Sequence, residues 1–142
     1  MDTLSPCTCF HLRRAARRVS QLYDQHLAGV GLSLNEYSIL HRAQHTRPLG
    51  ELAEALGMDR TTLTRNLKPL TNAGLVQIMA GDDGRQRCIQ LTPEGRQRLQ
   101  QARPLWRKAQ SEIEARCGVS TVHALNQQLD TLHSTLTSVP LP

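Results

Sequence analysis

The feature that most restricts how this chain folds is a change of apolar periodicity between Leu75 and Thr92. On both sides of this segment, apolar residues recur every three or four positions, which is typical of amphipathic helices. Inside it, apolar residues such as Val76 and Ile89 fall at alternate positions, on either side of a turn-forming run from Gly81 to Gly84. Alternation around such a turn predicts a β-hairpin. We therefore predict a mainly α fold that contains one two-stranded β-hairpin.

Four helices are predicted before the hairpin, and their ends carry recognisable signals. They cover Cys9–Leu27, Ser33–His45, Glu51–Leu56 and Arg60–Ala73. Ser33 and Glu36 have the spacing of a capping box at the start of the second helix. Gly57 permits a tight turn after the third helix, and Asp59 is placed to cap the fourth. Pro69 removes a hydrogen bond within the fourth helix, so we expect a kink or the last turns of the helix there.

The segment after the hairpin is also predicted to be helical. Thr92 and Pro93 signal a helix start, and residues 95–138 form two helices, or one helix broken near Gly118. Along the last helix, apolar residues are spaced by three, four, three and four positions: Val122, Leu125, Leu129, Leu132 and Leu136. Such a narrow seam suits pairing with another helix, either in a second copy of the chain or in the first helix of the same copy. Val139–Pro142 is predicted to be a tail.

The charge balance favours a polyanionic partner. The 142 residues suit one domain, and they include 17 Lys and Arg against 12 Asp and Glu. Such an excess is compatible with binding nucleic acid, although scattered basic residues also occur simply for solubility. The chain has only one Trp, two Tyr and one Phe, which argues against binding single strands by aromatic stacking.

The order of the elements, which is helix, tight turn, helix and hairpin, makes the prediction of a nucleic-acid partner more specific. The outward face of the fourth helix carries short hydroxyls and long cations, which suit base edges and phosphates in the major groove. These candidate DNA-binding residues are Asp59, Arg60, Thr61, Thr62, Thr64, Arg65 and Lys68. The hairpin tip adds Arg85 and Arg87, which suit the minor groove, and Asp83 is predicted to hold the guanidinium of Arg85. Each part alone is compatible with a solvated surface, but together they predict binding of double-stranded DNA.

The residues from Leu52 to Leu67, together with Gly74–Val76, Asp83–Arg85 and Leu91–Gly95, resemble the MarR family of bacterial regulators. The resemblance covers nearly the whole chain and implies a winged helix-turn-helix fold with dimerisation helices at both ends. It implies that residues 33–99 bind DNA, that the helix from Arg60 is the recognition helix, and that Asp83 and Arg85 are the wing pair. It also implies a homodimer in which residues 7–30 and 100–138 interlock. Candidate dimerisation residues are Leu12, Val19, Val122, Leu125, Leu129, Leu132 and Leu136.

A homodimer of this kind is expected to be a transcriptional regulator, a repressor, on a pseudo-palindromic operator. Its half-sites would lie about 10 bp apart, because two-fold symmetry places the recognition helices one DNA turn apart. The alternative is an architectural or protein-binding winged-helix protein. The sequence contains no glycine-rich phosphate loop, nucleophile elbow or metal cluster with a general base, so neither an enzyme nor a cofactor is predicted.

The cysteines are candidates for sensing an oxidant. Cys7 and Cys9 lie at the start of a cationic helix, where Arg13 and Arg14 favour the reactive thiolate. Some members of the MarR family sense oxidants through an N-terminal cysteine. Cys88 and Cys117 are candidates to resolve an oxidised partner. A free cysteine is also common as a small apolar residue, and that interpretation stays open.

A small-molecule effector and a metal ion are two further kinds of signal. The family resemblance implies a cleft for a small aromatic or amphipathic effector, for which Tyr23, Tyr37, His41 and Trp106 are candidate lining groups, although aromatics at helical positions also occur as plain core. His41 and His45 are one turn apart, but no zinc-binding spacing accompanies them, so no metal site is predicted.

We expect a soluble, cytoplasmic protein without membrane contact. Residues 1–12 show no basic segment followed by an apolar run, and no stretch approaches the roughly 18 apolar residues of a membrane span. The four cysteines are then expected to be reduced by default.

Overall fold

The computed structural model describes residues 5–139 and confirms a mainly helical fold. The helices are α1 (Thr8–Leu27), α2 (Leu34–Arg42), α3 (Leu49–Leu56), α4 (Arg60–Asn72), α5 (Pro93–Cys117) and α6 (Val119–Ser138), with a short 3₁₀ turn over Ala28–Val30. Of the tail predicted from Val139 to Pro142, only the first residue is described. Of the two arrangements left open for the C-terminal segment, the structure has two helices, divided at Gly118.

The wing is a hairpin with one additional strand. Strands β2 (Val76–Ala80) and β3 (Arg87–Leu91) pair antiparallel, as the alternating pattern predicted. A two-residue strand, β1 (Arg47–Pro48), pairs with the other edge of β3, so the sheet has three strands and not the predicted two. No sequence pattern predicted β1, because two residues are too few to show alternation.

The predicted helix ends are largely confirmed. Ser33 Oγ accepts a hydrogen bond from the Glu36 backbone N–H at 3.2 Å, and the Glu36 carboxylate accepts one from the Ser33 N–H at 2.9 Å. The helix ends at Arg42, three residues earlier than predicted. Pro69 lies in the last turn of α4, which continues only to Asn72, so it marks the end of the helix as one alternative predicted.

The core lies where helices α1 to α5 meet the sheet. Its largest fully buried side chains are Leu27, Ile39, Leu40, Leu52, Leu63, Leu70, Ile89 and Leu99. Thr92 connects the sheet to α5, because its hydroxyl donates to the Gly74 carbonyl at 2.6 Å and accepts from the Gly95 N–H at 3.0 Å. The root of the wing is therefore fixed to the start of α5 by hydrogen bonds on both sides of one buried threonine.

Helix α6 packs mainly against α5 and leaves part of its seam uncovered in a single chain. Val122 is buried, whereas Leu125 and Leu136 are 50% and 57% exposed. Among the described residues, no helix is both long enough and apolar enough to cross a membrane. The division of the chain into a DNA-binding part and a dimerisation part stays a prediction.

Candidate nucleic-acid interface

The turn between α3 and α4 sets the direction of the second helix. Gly57 adopts a left-handed conformation with φ 65°, which closes α3 and allows the chain to reverse within two residues. The N–H of Met58 donates to the Ala53 carbonyl at 2.9 Å. Buried Leu63 and Leu67 then hold one face of α4 in the core, so the opposite face is presented to solvent.

The solvent face of α4 is the cationic and hydroxylic surface that the sequence predicted. Asp59, Arg60, Thr61, Thr64, Arg65 and Lys68 are exposed, and Thr62 is half-buried. Both salt bridges found among residues 5–139 involve Glu112, so neither uses a cation of α4. These cations are therefore available to phosphates, although their assignment to DNA contact stays a prediction.

Two of the predicted contact residues also form hydrogen bonds with the backbone of α4. The Asp59 carboxylate accepts the Thr62 backbone N–H at 2.7 Å, and this hydrogen bond holds the pKa of Asp59 below its ordinary value. The Thr64 hydroxyl donates to the Arg60 carbonyl at 2.8 Å. Asn66, which the sequence analysis did not select, donates to the Thr62 carbonyl at 2.9 Å and is half-buried beside the same face.

The wing tip is held by Asp83 through the backbone. Its carboxylate accepts the N–H groups of Arg85 at 2.9 Å and Gln86 at 3.0 Å, and these bonds lower the pKa of Asp83. The prediction that Asp83 holds the Arg85 guanidinium is wrong, because no ion pair between them is present in the described segment. The reason is local geometry: an aspartate at this point of a turn reaches the N–H groups two and three residues ahead, and Gly84 with φ 72° completes the turn.

The fold brings the wing and the start of α4 to one shared cavity. This cavity of about 200 Å³ is lined by Arg60 from the start of α4, Arg85 and Arg87 from the wing, and Gly50 and Glu51 from the start of α3. Arginine side chains match phosphate geometry with two parallel hydrogen bonds. The cavity therefore joins both predicted DNA-binding elements in a position where one DNA backbone could contact them together.

The four cysteines are free and lie in different environments. Cys7, Cys9 and Cys117 are exposed, whereas Cys88 is buried on β3 opposite Met79. The Cys7 sulfur caps α1 by accepting the Phe10 backbone N–H at 3.4 Å. Whether any of these thiols is redox-active stays a prediction.

The four candidate effector-pocket residues form one column of stacked rings. Successive ring centroids are 6.2 Å apart from Tyr23 to Trp106, 6.0 Å from Trp106 to Tyr37 and 6.0 Å from Tyr37 to His41. Burial raises the pKa of Tyr37 while the guanidiniums of Arg103 and Arg107 oppose the increase. Burial, followed by nearby arginines, lowers the pKa of His41, so its imidazole is neutral at neutral pH.

Across the described residues, no group of three or more His, Cys, Asp or Glu side chains is arranged to hold a metal ion.

Comparison with known proteins relates the whole chain to regulators solved on DNA. No protein-family model matches the chain. It is 39% identical to the M. tuberculosis transcriptional regulator MosR in complex with DNA, covering 95% of this chain and 99% of that one with a TM-score of 0.86. It is 26% identical to the transcriptional repressor CouR bound to a DNA duplex, covering 94% and 96% with a TM-score of 0.81. It is also 26% identical over 106 residues to the Bacillus subtilis HTH-type regulator YwoH, covering 73% of this chain and 77% of that protein.

Proposed function

The chain belongs to the MarR family of winged helix-turn-helix transcriptional regulators, and from this membership we propose that it represses transcription as a homodimer on a pseudo-palindromic operator. It is a DNA-binding transcriptional regulator and not an enzyme. The observation that carries the proposal is the full-length similarity to MosR bound to DNA, combined with an exposed cationic face on α4. CouR is described as a repressor, which supports the same role here.

The homodimer is supported by apolar surface that a single chain leaves uncovered. Leu12 and Val19 of α1 are exposed, as are Leu125 and Leu136 of α6. A groove of about 320 Å³ between α1 and α5 is lined partly by Val19, Leu22 and Ile113. An apolar seam of the width seen on α6 fits such a groove, so we infer that α6 of a second copy occupies it.

The operator follows from the symmetry of the dimer. Two recognition helices related by a two-fold axis contact half-sites about 10 bp apart, centre to centre. Selection of bound sequences from random DNA, followed by footprinting, tests this directly. We expect one symmetric protected region containing an inverted repeat. A short asymmetric footprint would contradict the dimeric arrangement, and binding without sequence preference would favour an architectural protein.

Release from DNA is proposed to follow binding of an effector near the aromatic column. CouR has been solved with p-coumaroyl-CoA, which supports an aromatic ligand for this chain. Tyr23 and Tyr37 connect α1 and α2 to α5 through Trp106, so a ligand inserted among these rings would change how the winged part sits on α5. Such a ligand releases DNA only if it binds more tightly to a dimer whose recognition helices do not fit the operator than to the dimer that binds DNA.

Oxidation of Cys7 or Cys9 is the alternative signal. Both thiols are exposed at the start of α1 and line one cavity together with Arg13, Arg14 and Arg17. Titration with phenolic acids and with peroxide, with operator binding as the readout, separates the two signals. Trp106 is the only tryptophan, so an aromatic ligand should also change its fluorescence, whereas peroxide acting at Cys7 should not.

A further inference from the structure

Another cavity lies at the start of α1 and shares no lining residue with the cavity between α4 and the wing. It has a volume of about 330 Å³ and is lined by Cys7, Cys9, Phe10, Arg13, Arg14 and Arg17. The Arg14 guanidinium lies over the Phe10 ring, 4.9 Å from its centroid, which is a cation–π contact. Three guanidiniums, an aromatic ring and two thiols, all of them exposed, therefore line one open cavity on the surface of α1.

The lining residues share one face of the helix. At roughly 100° per residue, Phe10, Arg13, Arg14 and Arg17 fall within about one third of the circumference. Leu12 lies roughly 160° from Phe10 around the helix, on the side assigned to the dimer interface. Pairing through the apolar side of α1 would therefore leave the cationic face open to solvent.

Among residues 5–139, no salt bridge neutralises the positive charge on this face. Asp24 is the only acidic residue of α1, and its carboxylate accepts the Leu34 backbone N–H at 2.7 Å. The two salt bridges between described side chains both involve Glu112 and leave these arginines unused. Like charges one turn apart on a helix destabilise it, so a bound anion would stabilise this end of α1.

The volume and the lining define what would fit. The cavity is at the lower end of the roughly 300–1,000 Å³ that small-molecule sites occupy. Guanidiniums bind phosphate through paired hydrogen bonds, and the face of an aromatic ring accepts a flat or apolar group. We propose that this cavity binds a small, multiply charged organic phosphate, with Arg13 and Arg17 on the phosphate groups and Phe10 against the organic part.

Isothermal titration of the full-length protein under reducing conditions tests the site without any DNA. The probes are pyrophosphate and adenosine diphosphate, which share two phosphates and differ by an aromatic nucleoside. We expect both to bind, adenosine diphosphate more tightly. Replacement of both Arg13 and Arg17 by Ala should weaken both probes by about tenfold or more, because two charge-assisted contacts are lost. Phe10→Leu should lower the affinity for adenosine diphosphate to that for pyrophosphate, and it should leave the affinity for pyrophosphate unchanged.

Lys108→Ala is the control, because Lys108 is exposed on α5 and does not line this cavity. An equal loss of affinity in Lys108→Ala would mean general charge attraction and would overturn the proposed site. The same variants are then measured on operator DNA. If Arg13 and Arg17 are needed for DNA and neither phosphate probe binds, the patch is a DNA contact and the proposal is wrong.

The thiols supply an independent readout. A ligand in the cavity should slow alkylation of Cys7 and Cys9 by iodoacetamide. The variant with Arg13→Ala and Arg17→Ala is the control, because it binds the ligand weakly and its alkylation rate should not change when the ligand is added. Equal slowing in both proteins, or no slowing at saturating adenosine diphosphate, would contradict binding at this site.

Discussion

Gly95 in the first turn of α5 lies so close to Leu75 that a Cβ at position 95 would be 2.0 Å from the Leu75 carbonyl oxygen. That oxygen also accepts the Thr92 N–H at 3.1 Å, so it cannot move without breaking a hydrogen bond. The absence of a side chain at Gly95 therefore determines how closely the helix packs on the root of the wing.

Gly95→Ala is expected to destabilise the protein by about 1–3 kcal/mol, because the overpacking is against backbone atoms that cannot rotate away. Urea unfolding followed by circular dichroism measures the change. Gly50→Ala is the matched control, since an added Cβ there meets no atom within 4 Å and a helix favours alanine. We expect Gly50→Ala to keep or raise stability; equal losses in both variants would contradict this explanation.

The wing offers a second prediction, based on what Asp83 binds. Asn keeps an oxygen that accepts the Arg85 and Gln86 N–H groups, while it removes a negative charge that phosphates would repel. Asp83→Asn should therefore bind operator DNA at least as tightly as the wild type. Asp83→Ala should bind roughly three- to tenfold more weakly, because the turn loses its acceptor. Fluorescence anisotropy measures the operator affinity of both variants. Equal losses of affinity would indicate that the carboxylate charge of Asp83 contributes directly to DNA binding.

The cations of α4 are expected to contribute to DNA binding in different ways, Arg65 to sequence preference and Lys68 to phosphate contact. Arg65→Ala should relax sequence preference at one operator position, a change of about 1–3 kcal/mol between the correct and a wrong base pair. Lys68→Ala should weaken all sequences alike and reduce the salt slope by about 0.9, as one phosphate contact is lost. Lys108→Ala, on the exposed side of α5, is the control and should change neither. Binding at several salt concentrations to single-base operator variants distinguishes these outcomes.

Local signals predicted the helices and the hairpin well, because each depends on residues close in the sequence. Ser33 and Glu36 are three residues apart, and the alternation around Val76 and Ile89 spans one short hairpin. The role of Asp83 was missed because the sequence shows its distance from Arg85 along the chain but not which N–H group it reaches. The short strand at Arg47 was missed for lack of any pattern.

The site depended more on tertiary structure. The exposure of Arg65 and Lys68 was predictable, since Leu63 and Leu67 are apolar and lie on the opposite, core-facing side of the helix. The cavity that joins Arg60 to Arg87 was not predictable, because residues 27 positions apart meet there only after the wing folds back. The stacking of Trp106 between Tyr23 and Tyr37 likewise depends on how three separate helices pack.

The contact between α1 and α5 gives a prediction about pH. Glu112 Oε2 lies 3.0 Å from His26 Nε2, and Arg116 approaches the other oxygen at 2.7 Å. The hydrogen bond from His26, with Arg116 helping, holds the pKa of Glu112 below its ordinary value of 4.5. A carboxylate whose pKa is lower in the folded state stabilises the fold at pH values above its unfolded-state pKa. This stabilisation is lost as the pH falls through the lower folded-state pKa.

Glu112→Gln should therefore reduce stability at neutral pH and have little effect at the acidic end of the range. Thermal unfolding of both proteins between about pH 7 and pH 3 tests this, because the glutamate titrates within that window. Glu54→Gln is the control, since the Glu54 carboxylate makes no hydrogen bond or salt bridge to any described residue. A difference between wild type and Glu112→Gln that stays constant with pH would show that the charge of Glu112 does not matter.

The last prediction concerns the uncovered seam of α6. Leu125 and Leu136 lie on one side of the helix, whereas Ser134 is exposed on the opposite side at helical spacing. Leu125→Glu combined with Leu136→Glu should weaken the dimer by at least about 100-fold, because each copy would bury two unpaired carboxylates. Ser134→Glu adds charge without touching the seam and should leave the dimer intact. Sedimentation analysis gives the oligomeric state, and circular dichroism verifies that the variant chain is folded.

Since one recognition helix alone contacts only one half-site, a folded monomer should also lose most of its affinity for the full operator. If the doubly substituted chain stays dimeric, the seam of α6 is not the interface and the dimer must form through another surface.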